Sequence, residues 1–176
     1  MKPLVITRLE WKILALFAAG CAINLWYLHL GAATLVTLYL FGMFFEFTTE
    51  AAWNYNKALD RSTFTLRDRD VNWLFGLGWQ ATLITGLSLG RASGSALPGW
   101  PDWLCDGLGL FLVGNAMEQT FYVFGLYRYN PRHWIVTLWT GHPVELFHIP
   151  VAVRAGYFFM GVLIHFLVAL TATWGC

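Results

Sequence analysis

Long runs of apolar residues, broken at wide intervals by short polar stretches, dominate the chain. Crossing a hydrocarbon layer of about 30 Å at 1.5 Å per residue takes about 20 apolar residues in a helix. Stretches at about 12–30, 32–54, 71–90, 103–127 and 154–175 meet that length and predict membrane-spanning helices. The expected fold is an all-α, polytopic transmembrane bundle of five spans, with the whole of 1–176 forming one integral-membrane domain. A further stretch, 133–153, is apolar but interrupted by Gly141, His142, Pro143, Glu145, His148 and Pro150. It reads as a sixth span, a re-entrant element, or the kinked first half of the last helix.

Composition agrees with lipid as the solvent. Of 176 residues 57% are apolar and only 12% charged, with a mean hydropathy of +0.54; a soluble domain carries about twice that share of charge. The start, Met1 to Lys12 followed by an apolar run with Ala18-Ala19-Gly20-Cys21, has the outline of a signal peptide. Hydrophobicity continues through Ala22, Ile23, Leu25 and Trp26, so an uncleaved first span is the better reading. A net charge of +1 supplies no basic surface for phosphates, which argues against nucleic acid as a partner. Cys21, Cys105 and Cys176 lack CxxC spacing and suggest neither a disulfide framework nor a zinc site. No nucleotide-binding motif is present.

Short loops rich in Lys and Arg face the cytoplasm. Lys2, Arg8, Lys12, Lys57, Arg61, Arg67, Arg69, Arg128 and Arg132 all fall on one side of the expected spans, against Arg91 on the other, joined by Arg154 if 133–153 spans. This places the N-terminus and the 55–70 loop in the cytoplasm of a cell's plasma or inner membrane. The opposite loop, Arg91 to Trp103, carries Trp100 and Trp103, which suit a headgroup layer. Gly86-Leu-Ser-Leu-Gly90 in span three, and Gly107, Gly109 and Gly114 in span four, predict close helix approach.

Candidate chemistry lies in ionisable side chains at membrane depth, where each costs roughly 2.5–3.5 kcal/mol on insertion scales. Glu46 and Glu50 are four apart in span two, on one helical face continued by Asn54. Asn115, Glu118, Gln119 and Tyr122 make a polar stripe in span four. By rise alone, Glu46 and Glu118 both lie roughly 21–23 Å below the outer ends of their helices, in one layer. In Trp139-Thr-Gly-His-Pro-Val-Glu-Leu-Phe-His-Ile-Pro150, His142, Glu145 and His148 recur every third residue and share a face if the segment is helical. Asn24 and His165 fall near mid-depth, though each, like Gln80, is the kind of residue that packing or one interhelical hydrogen bond accounts for.

Three chemistries suit such a cavity. Crowded carboxylates in a low dielectric split into an acid and a base, and aromatic faces shelter cations. That combination suits isomerisation or cyclisation of a lipophilic, isoprenoid- or sterol-like substrate. Glu46 and Glu118 are then the acid and base, Glu145, His142 and His148 tune them or hold substrate, and Glu50, Asn115, Gln119, Tyr122 and Arg154 line the binding site. Alternatively, Glu145-Leu-Phe-His148 has the Glu-x-x-His spacing of a metal pair, but without a second copy. The third possibility is a proton-coupled carrier, or a quinone-binding or structural subunit of a larger membrane complex; no inverted repeat supports alternating access. The Pro143-Val-Glu145 run and the acidic, aromatic spans resemble small membrane isoprenoid cyclases and sterol isomerases over those few residues, and no site residue follows from that. The expected partners are the bilayer and a lipophilic small molecule.

Overall fold

The computed structural model describes residues 6–49, 53–55, 63–65, 71–125, 127–138 and 144–172. Five helices carry the chain: α1 (Arg8–Ile23), α2 (Ala32–Thr49), α3 (Trp73–Ala96), α4 (Asp102–Val123) and α5 (Val151–Ala172). Two small antiparallel ribbons complete it. Strand β1 (Trp53–Tyr55) pairs with β2 (Tyr127–Tyr129), and β3 (Glu145–Leu146) with β4 (Ile149–Pro150).

Helix α1 starts at a capping box. The Thr7 hydroxyl accepts from the Glu10 N–H at 3.3 Å, and the Thr7 N–H donates to Glu10 Oε2 at 2.6 Å. The other Glu10 oxygen accepts from Asn72 Nδ2 at 2.6 Å, and Asn72 caps α3 through the Leu74 N–H at 2.9 Å. Buried Glu10 and Asn72 therefore tie the starts of α1 and α3 together. At its far end α1 continues into a π-helical turn, Asn24–Leu28, closed by His29 in the left-handed region at φ 52°. The Asn24 side chain bonds both the N–H and the carbonyl of Leu30. Asn24 thus belongs to the α1–α2 turn, and the expectation that it lies near mid-depth is corrected.

Helix α3 is the hub and is buried around much of its circumference. Its glycines and those of its neighbours let backbones meet: a Cβ on Gly109 would stand 2.2 Å from the Gly86 carbonyl oxygen, and one on Gly90 2.7 Å from Asp106 Cα. The Gly86-to-Gly90 spacing does serve close approach, here between α3 and α4. Helices α4 and α5 meet the same way, with Phe158 over Gly107 and Tyr157 over Gly114. Gln80 donates to the Leu35 carbonyl at 2.6 Å, joining α3 to α2, and Thr34 bonds Thr171 at 2.9 Å, joining α2 to α5.

Three segments are long and apolar enough to cross a membrane: Arg8–Leu28, Ala32–Thr49 and Val151–Ala172. Helices α3 and α4 are as long, 24 and 22 residues, but their interior faces carry Gln80, Thr82, Asp106, Asn115 and Glu118. Residues around them cover those groups. Large apolar side chains remain on the outside, among them Trp26, Phe44, Phe124 and Phe159, a surface that suits lipid better than water.

Helix boundaries differ from the expectation in several places: the expected span 32–54 is helical to Thr49, and Asn54 lies in strand β1 instead of continuing the helical face of Glu46. Arg91 lies inside α3 rather than in a loop, and α4 stops at Val123, where Gly125 turns left-handed at φ 65° and donates back to the Tyr122 carbonyl. The described part of 133–153 is not a helical span. Residues 131–138 form turns, and Phe147 and His148, at φ 51° and 64°, make the two-residue turn of the β3–β4 hairpin before α5 begins. Both central residues of such a turn require positive φ. A continuous helix through Glu145 to His148 is therefore excluded.

Candidate functional site: two buried carboxylates joined through aromatic rings

Glu46 and Glu118 are each 2% exposed, and each is bound by aromatic donors. Glu46, near the end of α2, accepts from Trp79 Nε1 of α3 at 3.0 Å. Glu118, in the last two turns of α4, accepts from the Tyr157 hydroxyl of α5 at one oxygen and from the Tyr129 hydroxyl of β2, at 2.5 Å, at the other. Trp79 and Tyr157 stack with centroids 6.0 Å apart. Five elements thus converge, and the two carboxylates lie within electrostatic reach of each other. The single layer expected from helix rise is found.

The rest of the polar stripe on α4 points elsewhere. Arg154 donates to Asn115 Oδ1 and Gln119 Oε1, both at 2.9 Å, and twice to the Leu146 carbonyl, at 3.0 and 2.8 Å. This guanidinium clamps α4, α5 and the hairpin through neutral acceptors, with Glu118 within reach of its charge. Asn115 donates in turn to the Phe111 and Arg154 carbonyls. Tyr122 stacks on the His148 ring, centroids 5.4 Å apart. Glu145 and His148 are exposed on the hairpin, away from the buried pair, so their three-residue spacing does not form a common helical face. His142, Pro143 and Glu50 lie outside the described residues. Among the described residues no three His, Cys, Asp or Glu side chains come together as a metal ion requires.

An apolar pocket of about 310 Å³ adjoins the cluster. It opens between α2, the 131–138 turns and α5, and its walls include Phe45, Trp134, Leu138, Phe159 and Met160. Tyr157 belongs to both places: its ring is part of the pocket wall and its hydroxyl is bonded to Glu118. Gly114 makes room for that ring, since a Cβ there would stand 2.1 Å from it.

Sequence reasoning missed Trp79, Tyr129 and Tyr157. A tyrosine well inside an apolar helix is the available signal, because its hydroxyl needs a partner once buried. A second missed pair lies nearer the other end of α4 and α5, where Asp106 Oδ2 and His165 Nδ1 are 2.8 Å apart. The chain matches no protein family model, and no curated protein or solved structure is similar to it.

Proposed function

We propose that all five helices cross a bilayer and that the protein is an integral-membrane enzyme performing acid/base chemistry on a lipophilic substrate held in the apolar pocket. The observation that carries this reading is the double position of Tyr157, wall of the pocket on one side and hydrogen-bond donor to Glu118 on the other. The proposed orientation has the N-terminus in the cytoplasm. In its support, the Glu10–Asn72 bond holds the starts of α1 and α3 together, and Lys12 lies 5.4 Å over the Phe124 ring just beyond α4. Arg8, Lys12, Arg128 and Arg132 accordingly gather at one end of the bundle.

In the proposed reaction Glu118 begins protonated: Tyr157 gives its proton to an uncharged substrate and takes the Glu118 proton in its place, leaving Glu118 a carboxylate held by both phenols. The substrate cation is then sheltered by the faces of Phe45, Trp134 and Phe159. A neighbouring carbon then loses a proton to the Tyr157 oxygen as the phenol's own proton returns to Glu118, which completes an isomerisation or cyclisation with no net change in protons. Glu46, held by Trp79, does not line the pocket and acts on Glu118 only through its charge, while Tyr129 bonds the second oxygen of Glu118. Glu145 and His148 have no part in this scheme.

The test is solvent labelling. Protein in nanodiscs is incubated with neutral membrane lipids in D2O, and the lipids are analysed by mass spectrometry for deuterium gained at carbon. General acid catalysis contributes about 100-fold or more, so Tyr157→Phe and Glu118→Gln should each lower incorporation by at least that factor. Gly156→Leu, which projects a side chain into the pocket, should abolish it. Equal labelling by folded wild type and Glu118→Gln would overturn the proposal.

A further inference from the structure

At the end of the bundle away from Glu46 and Glu118, three helices build a second polar site. Asp106 is 1% exposed; its Oδ2 holds His165 Nδ1 at 2.8 Å, and its Oδ1 is buried with no hydrogen-bond partner among the described residues. The enclosure is made by glycines. A Cβ on Gly90 of α3 would stand 2.8 Å from Asp106 Oδ1, and one on Gly161 of α5 2.6 Å from the Asp106 carbonyl oxygen. A buried carboxylate is costly in an apolar setting, and this one does a single visible thing: it fixes the His165 ring. The charges within its reach are Arg91 of α3 and Asp102 of α4.

A carboxylate that binds one ring nitrogen of histidine orients the other toward a ligand. His165 keeps 24% of its side chain exposed, and with Nδ1 bonded to Asp106, Nε2 is the ring nitrogen left for binding. Its level identifies the ligand. Asp106 is one turn, about 6 Å, below Asp102, where Trp100 and Trp103 are exposed as in a headgroup belt. Below that level Leu112 of α4 and Phe159 and Leu163 of α5 are exposed and apolar, and Phe166 is exposed beside His165. The site therefore offers one hydrogen-bonding atom just under the headgroup layer, above a hydrocarbon-facing surface.

We propose that Asp106 and His165 form a binding site for a membrane lipid whose polar head is a single hydroxyl group, distinct from the pocket beside Tyr157. With the Asp106 carboxylate accepting from Nδ1–H, the neutral ring offers Nε2 as an acceptor, to which a hydroxyl donates and an ether or ester cannot. An anionic head would meet Asp106 and Asp102, and a bare hydrocarbon would leave Nε2 unused.

The experiment uses the full chain in nanodiscs with 15N-labelled histidine, the His165 signals being those absent from His165→Phe. Hexadecanol is the probe, against hexadecane and hexadecyl methyl ether. The expected result is a saturable shift of the Nε2 resonance with the alcohol only, at least tenfold weaker in apparent affinity in Asp106→Asn. No shift with hexadecanol, or an equal shift with the ether, overturns the proposal on the unaltered protein whether or not the variant folds. An undiminished affinity in folded Asp106→Asn overturns the role of the carboxylate.

Discussion

Trp79 and Tyr157 stack at 6.0 Å, and through them Glu46 and Glu118, on helices that are not sequence neighbours, become ends of one buried unit. The arrangement resolves the problem each acid poses alone. A carboxylate taken out of water costs several kcal/mol unless its oxygens are bonded, and here the aromatic residues that fill space also supply the donors.

Removal of either phenol should therefore show as lost stability. Tyr129→Phe and Tyr157→Phe each leave one oxygen of Glu118 without its donor in the interior, at a cost of about 1–3 kcal/mol. The double variant strips both oxygens and should cost more than the sum of the singles, since one remaining phenol still anchors the acid. Unfolding of the four proteins in denaturing detergent measures the coupling. Two singles each within about 0.5 kcal/mol of wild type would mean that the bonds contribute little beyond packing.

Glycine positions provide a contrast within the same helices. A Cβ on Gly109 would stand 2.2 Å from the Gly86 carbonyl oxygen and 2.5 Å from the Gly90 nitrogen, backbone atoms that cannot rotate away. Gly109→Ala should separate α3 from α4 and destabilise by about 1–3 kcal/mol. Gly156, in α5, has nothing within 4 Å of its added Cβ. Gly156→Ala should be neutral or stabilising by up to about 1 kcal/mol through helix propensity. Thermal melts in one detergent order the pair, and a reversed order would contradict the packing described between α3 and α4.

Much of this was legible in hydrophobic periodicity, because apolar length alone marks α1, α2 and α5, and helix rise alone brings Glu46 level with Glu118. Helices α3 and α4 are less apolar for a physical reason, since their polar side chains face neighbouring helices, where hydropathy averaged along the chain cannot see them. The hairpin was not legible. Phe147 and His148 adopt the left-handed conformation that turn statistics reserve for Asn and Gly, while Glu-x-x-His spacing imitates a helix. Partners were less legible still: Tyr157 reads as one aromatic among many, and Asp106 with His165 are 59 positions apart, joined only by the glycine contacts of α3, α4 and α5.

His133 provides a pH-dependent test of the turns beside the pocket. Its Nδ1 accepts the Ile135 N–H at 3.3 Å, and Trp134 and Ile135 are part of the pocket wall. Partial burial holds the ring's pKa below the ordinary histidine value, and the accepted bond itself requires an unprotonated Nδ1. The neutral ring is therefore favoured in the folded protein. A group depressed in this way contributes stability that is present above its unfolded value, about 6.5, and that is lost as pH falls through the lower folded value. Acidification from pH 7.5 toward 5 should lower the Tm of wild type. His133→Gln, which cannot take up a proton, should lose part of that dependence. The remaining slope belongs to the other titrating groups, so the informative quantity is the difference between the two proteins across the range. Parallel curves at every pH would show that protonation of His133 is not coupled to folding.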